Sequence, residues 1–141
     1  MDVIITIIGR QTVDGGCEVT EMTAPGRMEW SGGEWKLPWR ESSPEGDTDS
    51  TIRIMDGGME VERRGAIRSL LRLTPGKRQE SEYDAGVGVL RMGIDTKLVQ
   101  SNLTPAGGTA EARYTLDING SVTADHVLTI DVKGADRTCQ E

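Results

Sequence analysis

Residues 63–96 read RRGAIRSLLRLTPGKRQESEYDAGVGVLRMGIDT, and the fold turns on whether the first part of that run is a helix or a strand. Arg64, Arg68 and Arg72 recur at spacing four around Ile67, Leu70 and Leu71, which suits a short amphipathic helix with a basic face. Read in steps of two, Ile67, Leu71 and Leu73 share one face while Arg68 and Arg72 share the other. Gly65 before the run and Thr74-Pro75-Gly76 after it leave a span short for a helix and ordinary for a strand, so the strand is preferred. Beyond the Pro-Gly turn, Lys77 to Asp84 is polar on both faces except at Tyr83, as in a solvated or edge-like strand. Leu90, Met92 and Ile94 then alternate with Val89, Arg91 and Gly93, and that strand extends toward Leu98.

Upstream the same period holds. Val3 to Ile8 is apolar except at Thr6, which predicts a central strand, and Cys17 to Trp30 predicts a long strand bent near Pro25-Gly26. A two-residue Gly32-Gly33 turn sets Trp30 opposite Trp35, Met28 opposite Leu37 and Gly26 opposite Trp39, which gathers the large apolar groups on one face. The segment 41–50, ESSPEGDTDS, is acidic and turn-rich and reads as a loop. A turn at Asp56-Gly57 pairs Ile54 with Met59 and Ile52 with Val61. Asn102 to Gly108 reads as a second loop. In the last hairpin, a tight Asn119-Gly120 turn would set Leu116 against Thr123 and break both apolar alternations. A type I turn with Gly120 as a bulge instead pairs 116 with 122, 114 with 124 and 112 with 126.

The chain is therefore expected to be all-β, a single antiparallel barrel of about eight to ten strands over residues 1–134, with 135–141 a flexible tail. Its 141 residues and 18 glycines fit that expectation. The net charge of −7 hides an asymmetry: residues 63–78 hold six of the 16 basic groups and no acid, while the rest of the chain carries most of the contrast against 23 acidic residues. An acidic body disfavours nucleic acid and anionic membranes as partners, although a local basic band can still hold one anion. The start lacks the long apolar stretch of a signal or a membrane span, which points to the cytoplasm, with Cys17 and Cys139 reduced. Two cysteines and one histidine do not furnish a structural zinc set, and no cofactor is expected.

Gly9-Arg10-Gln11 after the first strand, Trp39 to Glu41, Arg64-Gly65, Gly76-Lys77-Arg78, Tyr83-Asp84, Gly88, Gly93-Ile94, Thr96, Tyr114 and Asn119-Gly120 together carry a likeness. In their order and spacing the chain resembles the YwiB-like family of small uncharacterised bacterial proteins over nearly its whole length. The resemblance implies a calycin-type, lipocalin-like β-barrel and no known activity.

Function must then be argued from sites. Met28, Trp30, Trp35, Trp39, Met92, Tyr114 and His126 fall on the expected inner face and combine adaptable with amphipathic groups, the mix that small-ligand cavities use. The simpler reading is that they fill the core, since small barrels can be filled by their own side chains. Arg64, Arg68, Arg72, Lys77 and Arg78, with Arg63 beside them, are candidates to grip an anionic partner, be it an acidic protein surface, a phosphate or an RNA backbone. They can equally pair with Glu60, Glu62, Glu80 and Glu82 on neighbouring strands. No catalytic pair can be named, so an enzyme ranks behind a binding module for a small apolar or amphiphilic ligand, and behind an interaction protein using the basic band. The oligomeric state is left open.

Overall fold

The computed structural model describes residues 1–135 apart from 14, 85 and 87. Eleven strands follow one another: β1 (Asp2–Val13), β2 (Gly16–Arg27), β3 (Glu29–Ser31), β4 (Glu34–Ser43), β5 (Gly46–Met55), β6 (Gly58–Gly65), β7 (Arg68–Leu73), β8 (Arg78–Asp84), β9 (Val89–Ser101), β10 (Gly107–Ile118) and β11 (Ser121–Gly134). Apart from β2 and β3, chain neighbours pair antiparallel; β2 and β3 both meet β4, and β11 returns to β1. No helix occurs among the described residues, and none is long and apolar enough to cross a membrane.

The result is a closed antiparallel barrel of ten strands, with the short β3 as a continuation of β2. The closure happens within a few residues. Asp2 to Val13 pairs with β2 up to Arg27, after which the chain leaves β1 and joins β4, with Glu29, Trp30 and Ser31 opposite Lys36, Trp35 and Glu34. Gly26 opposes Val3 on one side and Trp39 on the other, so it belongs to both edges of the seam. Met28 at the corner donates its N–H to the Met1 carbonyl at 2.9 Å and accepts from the Met1 amino group at 3.3 Å. A Cβ at position 26 would lie 2.6 Å from Ile5 Cδ1 and 2.7 Å from the Pro38 carbonyl, so the glycine is required by close approach.

Turn chemistry sets the register on either side. Gly32 and Gly33 have φ of 62° and 82°, the doubly left-handed geometry that matches the twist of the flanking strands. Trp30 therefore faces Trp35 and Gly26 faces Trp39, as the sequence implies. The Asp56-Gly57 turn likewise pairs Ile54 with Met59 and Ile52 with Val61. The basic run is a strand, with Leu71 and Leu73 inward and Arg68 and Arg72 exposed; Ile67 lies just before it.

Two expectations are corrected. Residues 41–50 are not a loop: β4 runs on to Ser43 and β5 begins at Gly46, so only 44 and 45 turn. Their polarity had suggested a loop, but Thr48 and Ser50 are 3% and 1% exposed and face a polar part of the interior. At the last hairpin, Asn119 and Gly120 do form the two-residue turn, with φ of 54° and 87°, and Ile118 pairs with Ser121. The bulge sits one step further in, between Leu116 and Asp117, so that Leu116 opposes Ala124, Tyr114 opposes His126 and Ala112 opposes Leu128. The parity conflict is thus resolved inside the ladder, leaving the turn its preferred residues. The stretch 136–141, expected as a flexible tail and containing Cys139, lies outside the described residues.

The interior is divided. Near the turns at 32–33 and 56–57, the barrel's lower end, Val3, Ile5, Leu37, Ile52, Ile54, Met59, Leu73, Ile130 and Val132 form a dry core. Burying each such Leu or Ile contributes about 1.5–3 kcal/mol. Toward the opposite, upper end Ser50, Arg63, Ser69, Thr96 and Tyr114 join the inward positions beside the buried Ile94, so polar groups enter the interior there.

The wall is weakly paired in two places: β2 meets β4 only at Gly26–Trp39, and the other lies between β7 and β8. β7 pairs with β8 only at Arg68–Asp84 and Ser69–Tyr83, and below that the two strands exchange no further ladder pairs. Ser81 spans the gap with its hydroxyl, donating to the Leu70 carbonyl.

Replacing Gly26 by Ala should overpack the closure and cost roughly 1–3 kcal/mol in urea unfolding. Gly16→Ala, where a Cβ meets nothing within 4 Å and φ is not left-handed, should leave stability unchanged or slightly raised. Equal effects of the two would deny the closure its role. Hydrogen exchange should find the amides that point into the β7–β8 gap, within 70–73 and 79–82, least protected among the strands, and the β10–β11 hairpin most protected.

Candidate functional site

The polar upper interior is assembled by register. Ser50 is held between Trp39 on β4 and Arg63 on β6, while Thr96, Tyr114, His126 and Gln11 lie side by side on β9, β10, β11 and β1. Ser50 donates its hydroxyl to Glu41 Oε2 at 2.7 Å, and Arg63 Nε lies 3.9 Å from the same oxygen. Arg63 is also near enough to Tyr114 for its charge to act on the phenol. Tyr114 and His126 stack flat, with ring centroids 5.0 Å apart and planes 3° from parallel. One chain of contacts therefore runs from β5 and β4 through β6 to β10 and β11.

Burial sets the protonation states. It pushes the Tyr114 phenol up to about 12, with Arg63 pulling the other way, so the group is a neutral donor at physiological pH. Burial also lowers the His126 pKa from an ordinary value near 6.5, against the opposing pull of Asp125, so the imidazole is neutral at pH 7. Three side-chain atoms in this interior are buried and have no hydrogen-bond partner: Trp39 Nε1, Thr96 Oγ1 and His126 Nε2. Leaving one such group unmatched costs about 1–3 kcal/mol. Each such orphan in a folded protein calls for an explanation, a bound molecule or water among them.

The seven residues expected to line a pocket do not converge on one place. Met28 is buried in the lower core at the closure corner. Trp30 is 60% exposed at the lower rim, its ring 4.9 Å from that of Trp35 and tilted by 59°. Trp35 and Met92 are half-buried against the core, whereas Trp39, Tyr114 and His126 are the three that belong to the polar upper interior. Glu41, Ser50, Arg63 and Thr96 complete that interior; of these the sequence reading named only Arg63, and that as part of the outer basic strip. Reading 41–50 as strand would have turned Glu41, Ser50 and Arg63 inward, because the Trp30–Trp35 register continues through β5.

Of the basic band, Arg64 pairs with Glu62 at 2.9 Å and Arg72 lies 3.9 Å from Glu60. Among the described residues neither Arg68 nor Lys77 has an ion pair. Arg78 crosses the outer face of β9 to Asp117 on β10, donating from Nη1 at 2.7 Å and Nη2 at 3.2 Å, with a further bond to Asp95 at 3.0 Å. Its path lies over Gly93, where a Cβ would come 2.1 Å from Nη2. The Arg78 hydrogen bonds hold the Asp117 carboxyl below its ordinary range, and Asp117 in turn raises the guanidinium.

At the β7–β8 gap a cleft of about 500 Å³ opens in the wall. Arg63, Ser69 and Ser81, which face inward, line it together with Arg64, Arg68 and Glu82 from the outer surface. No group of three or more His, Cys, Asp or Glu side chains is placed to hold a metal among the described residues.

Comparison with known proteins agrees with the likeness carried by the residues. Over 121 residues the chain is 25% identical to a protein described as the uncharacterized beta-barrel protein YwiB of Bacillus subtilis (strain 168), covering 86% of this chain and 85% of that one. The crystal structure of the ywiB protein from Bacillus subtilis has the same fold: the TM-score is 0.87 at 22% identity, over 96% of this chain and 92% of the other. The model of the domain of unknown function DUF1934 matches residues 5–130. With that match spanning most of the barrel, from within β1 to within β11, the chain belongs to the DUF1934 family.

Proposed function

We propose that the protein is a non-enzymatic binding module that holds a small apolar or amphiphilic molecule in the upper half of the barrel. The observation that carries this reading is that three buried polar atoms on inward-facing side chains, Trp39 Nε1, Thr96 Oγ1 and His126 Nε2, have no hydrogen-bond partner. A ligand with one or two polar atoms satisfies them and recovers the cost of their burial. Half-buried Met92 and the Trp39 ring supply adaptable apolar surface in the same half. Trp30, Trp35 and Met28 lie toward the other end and act in the rim and the core.

The alternative, an interaction protein that grips an anionic partner with the outer band, draws less support. Arg64, Arg72 and Arg78 already have carboxylate partners, and exposed pairs of this kind leave only Arg68 and Lys77 uncommitted among the described residues.

Native mass spectrometry of protein purified from cells, with a thermal-shift screen of a small-molecule library, should reveal a bound mass or a saturable stabilisation; neither appearing would end this reading. For a hit, Trp39→Phe and His126→Gln should each weaken binding about tenfold, the effect of one lost hydrogen bond in a buried site. Trp30→Phe should not. Because His126 is neutral above its lowered pKa and cationic below it, affinity for a ligand bonded to the neutral ring should hold at pH 7 and fall only as pH drops well under 6.5. His126→Gln should flatten that profile.

A further inference from the structure

We propose that the ligand carries an anionic head group, a carboxylate or phosphate monoester, which enters through the β7–β8 gap and is bound at its inner end by Arg63. This rests on the binding reading above and narrows it to a class of molecule. The argument begins with connectivity. Ser69 and Ser81 face the interior and Leu70 and Glu82 the exterior, yet all four line the same cleft, so the gap joins the outer surface to the polar interior. Elsewhere ladders run along the wall except between β2 and β4, which meet at Gly26–Trp39 alone; of these two weakly paired places, the β7–β8 gap is the one at which Arg63 stands.

Arg63 stands where this passage meets the polar interior. It lines the cleft, and it is also the residue that reaches Glu41 and influences Tyr114. Its side chain is one-third exposed, and among the described residues its guanidinium makes no hydrogen bond; the 3.9 Å approach to Glu41 supplies charge without a bond. Glu41 is already engaged by Ser50 at 2.7 Å. A guanidinium has five N–H donors in a planar fork that fits two oxygens of one acid group. The Ser69 hydroxyl offers a further donor along the same wall, while that of Ser81 is engaged by the Leu70 carbonyl.

The acids of the cleft do not cancel this. Glu62 is held by Arg64 at 2.9 Å, Asp84 stands opposite Arg68, and Glu82 stands opposite Arg91. Each lies on the outer lip beside a base, while Arg63 alone combines a charge, unused donors and a position inside. An entering acid therefore meets a balanced rim and then a guanidinium whose ion pair with Glu41, at 3.9 Å, leaves its N–H donors open to a second acid group. The apolar part of the molecule is directed onward, toward Met92 and Trp39.

The test uses octanoate, octyl phosphate, octan-1-ol and inorganic phosphate as probes in calorimetric titration of the full chain. Octanoate or octyl phosphate should bind at least about tenfold more tightly than octan-1-ol, as expected for a charge-assisted bidentate pair. Arg63→Gln should abolish that preference, and Arg63→Lys, which keeps the charge but lacks the fork, should retain part of it. Unchanged circular dichroism and melting of both variants exclude a folding defect, and the Lys variant alone decides the matter if the Gln variant fails to fold. Bound octanoate should raise hydrogen-exchange protection across 69–71 and 81–83. Equal affinities for octan-1-ol and the acids, inorganic phosphate matching the amphiphiles, or protection confined to the Trp30–Trp35 rim would overturn the inference. The first outcome would leave the binding module standing, whereas no interaction with any probe and no hit in the library screen would remove both.

Discussion

Everything in this molecule depends on a sheet meeting its own far edge. Open antiparallel sheets expose two rows of unsatisfied backbone groups, and a barrel removes both at once. Here a single extended run, 16–31, serves two partners in succession, β1 and then β4. The handover needs a residue with no side chain where three strands crowd together. Position 26 supplies it, between Val3 and Trp39 with Ile5 and Pro38 against it. The Gly32-Gly33 turn beyond it then carries the register into the rest of the meander.

Once closed, the wall gives every second residue a common interior, and this chain fills the two halves differently. Aliphatic side chains pack the lower half and provide the apolar burial that offsets chain entropy. The upper half contains Glu41, Ser50, Arg63, Thr96, Tyr114 and His126, several of them imperfectly matched. Polar groups in such a place reduce stability, which is why a folded core alone is an inadequate account of them. The same half also contains the poorly paired β7–β8 stretch, so chemistry and access lie together.

Much of the fold was legible because turn residues and alternation agreed. Trp30 with Trp35, Ile54 with Met59, and the inward Leu71 and Leu73 followed from glycine placement and a period of two. The site was harder to read for a physical reason. Alternation is visible when one face is apolar and the other polar, and in 41–50 both faces are polar, so Thr48 and Ser50 carried no strand signal. The same blindness hid the inward direction of Arg63, which was grouped with a run of arginines whose other members point outward. At 116–124 the apolar pattern correctly demanded an extra residue, but pattern alone does not say where along the ladder it is absorbed. The outward reach of Arg78 to Asp117 spans a third strand, and no local rule connects residues that distant in sequence.

That last contact has a bearing on descent. The guanidinium occupies the space a side chain at 93 would take, and the carboxylate at 117 is shielded by it, so the three positions form one unit across β8, β9 and β10. A larger residue at 93 obliges the guanidinium to shift from its place over β9 and loosens its hold on the aspartate, so changes at Arg78, Gly93 and Asp117 are expected to be correlated among homologues.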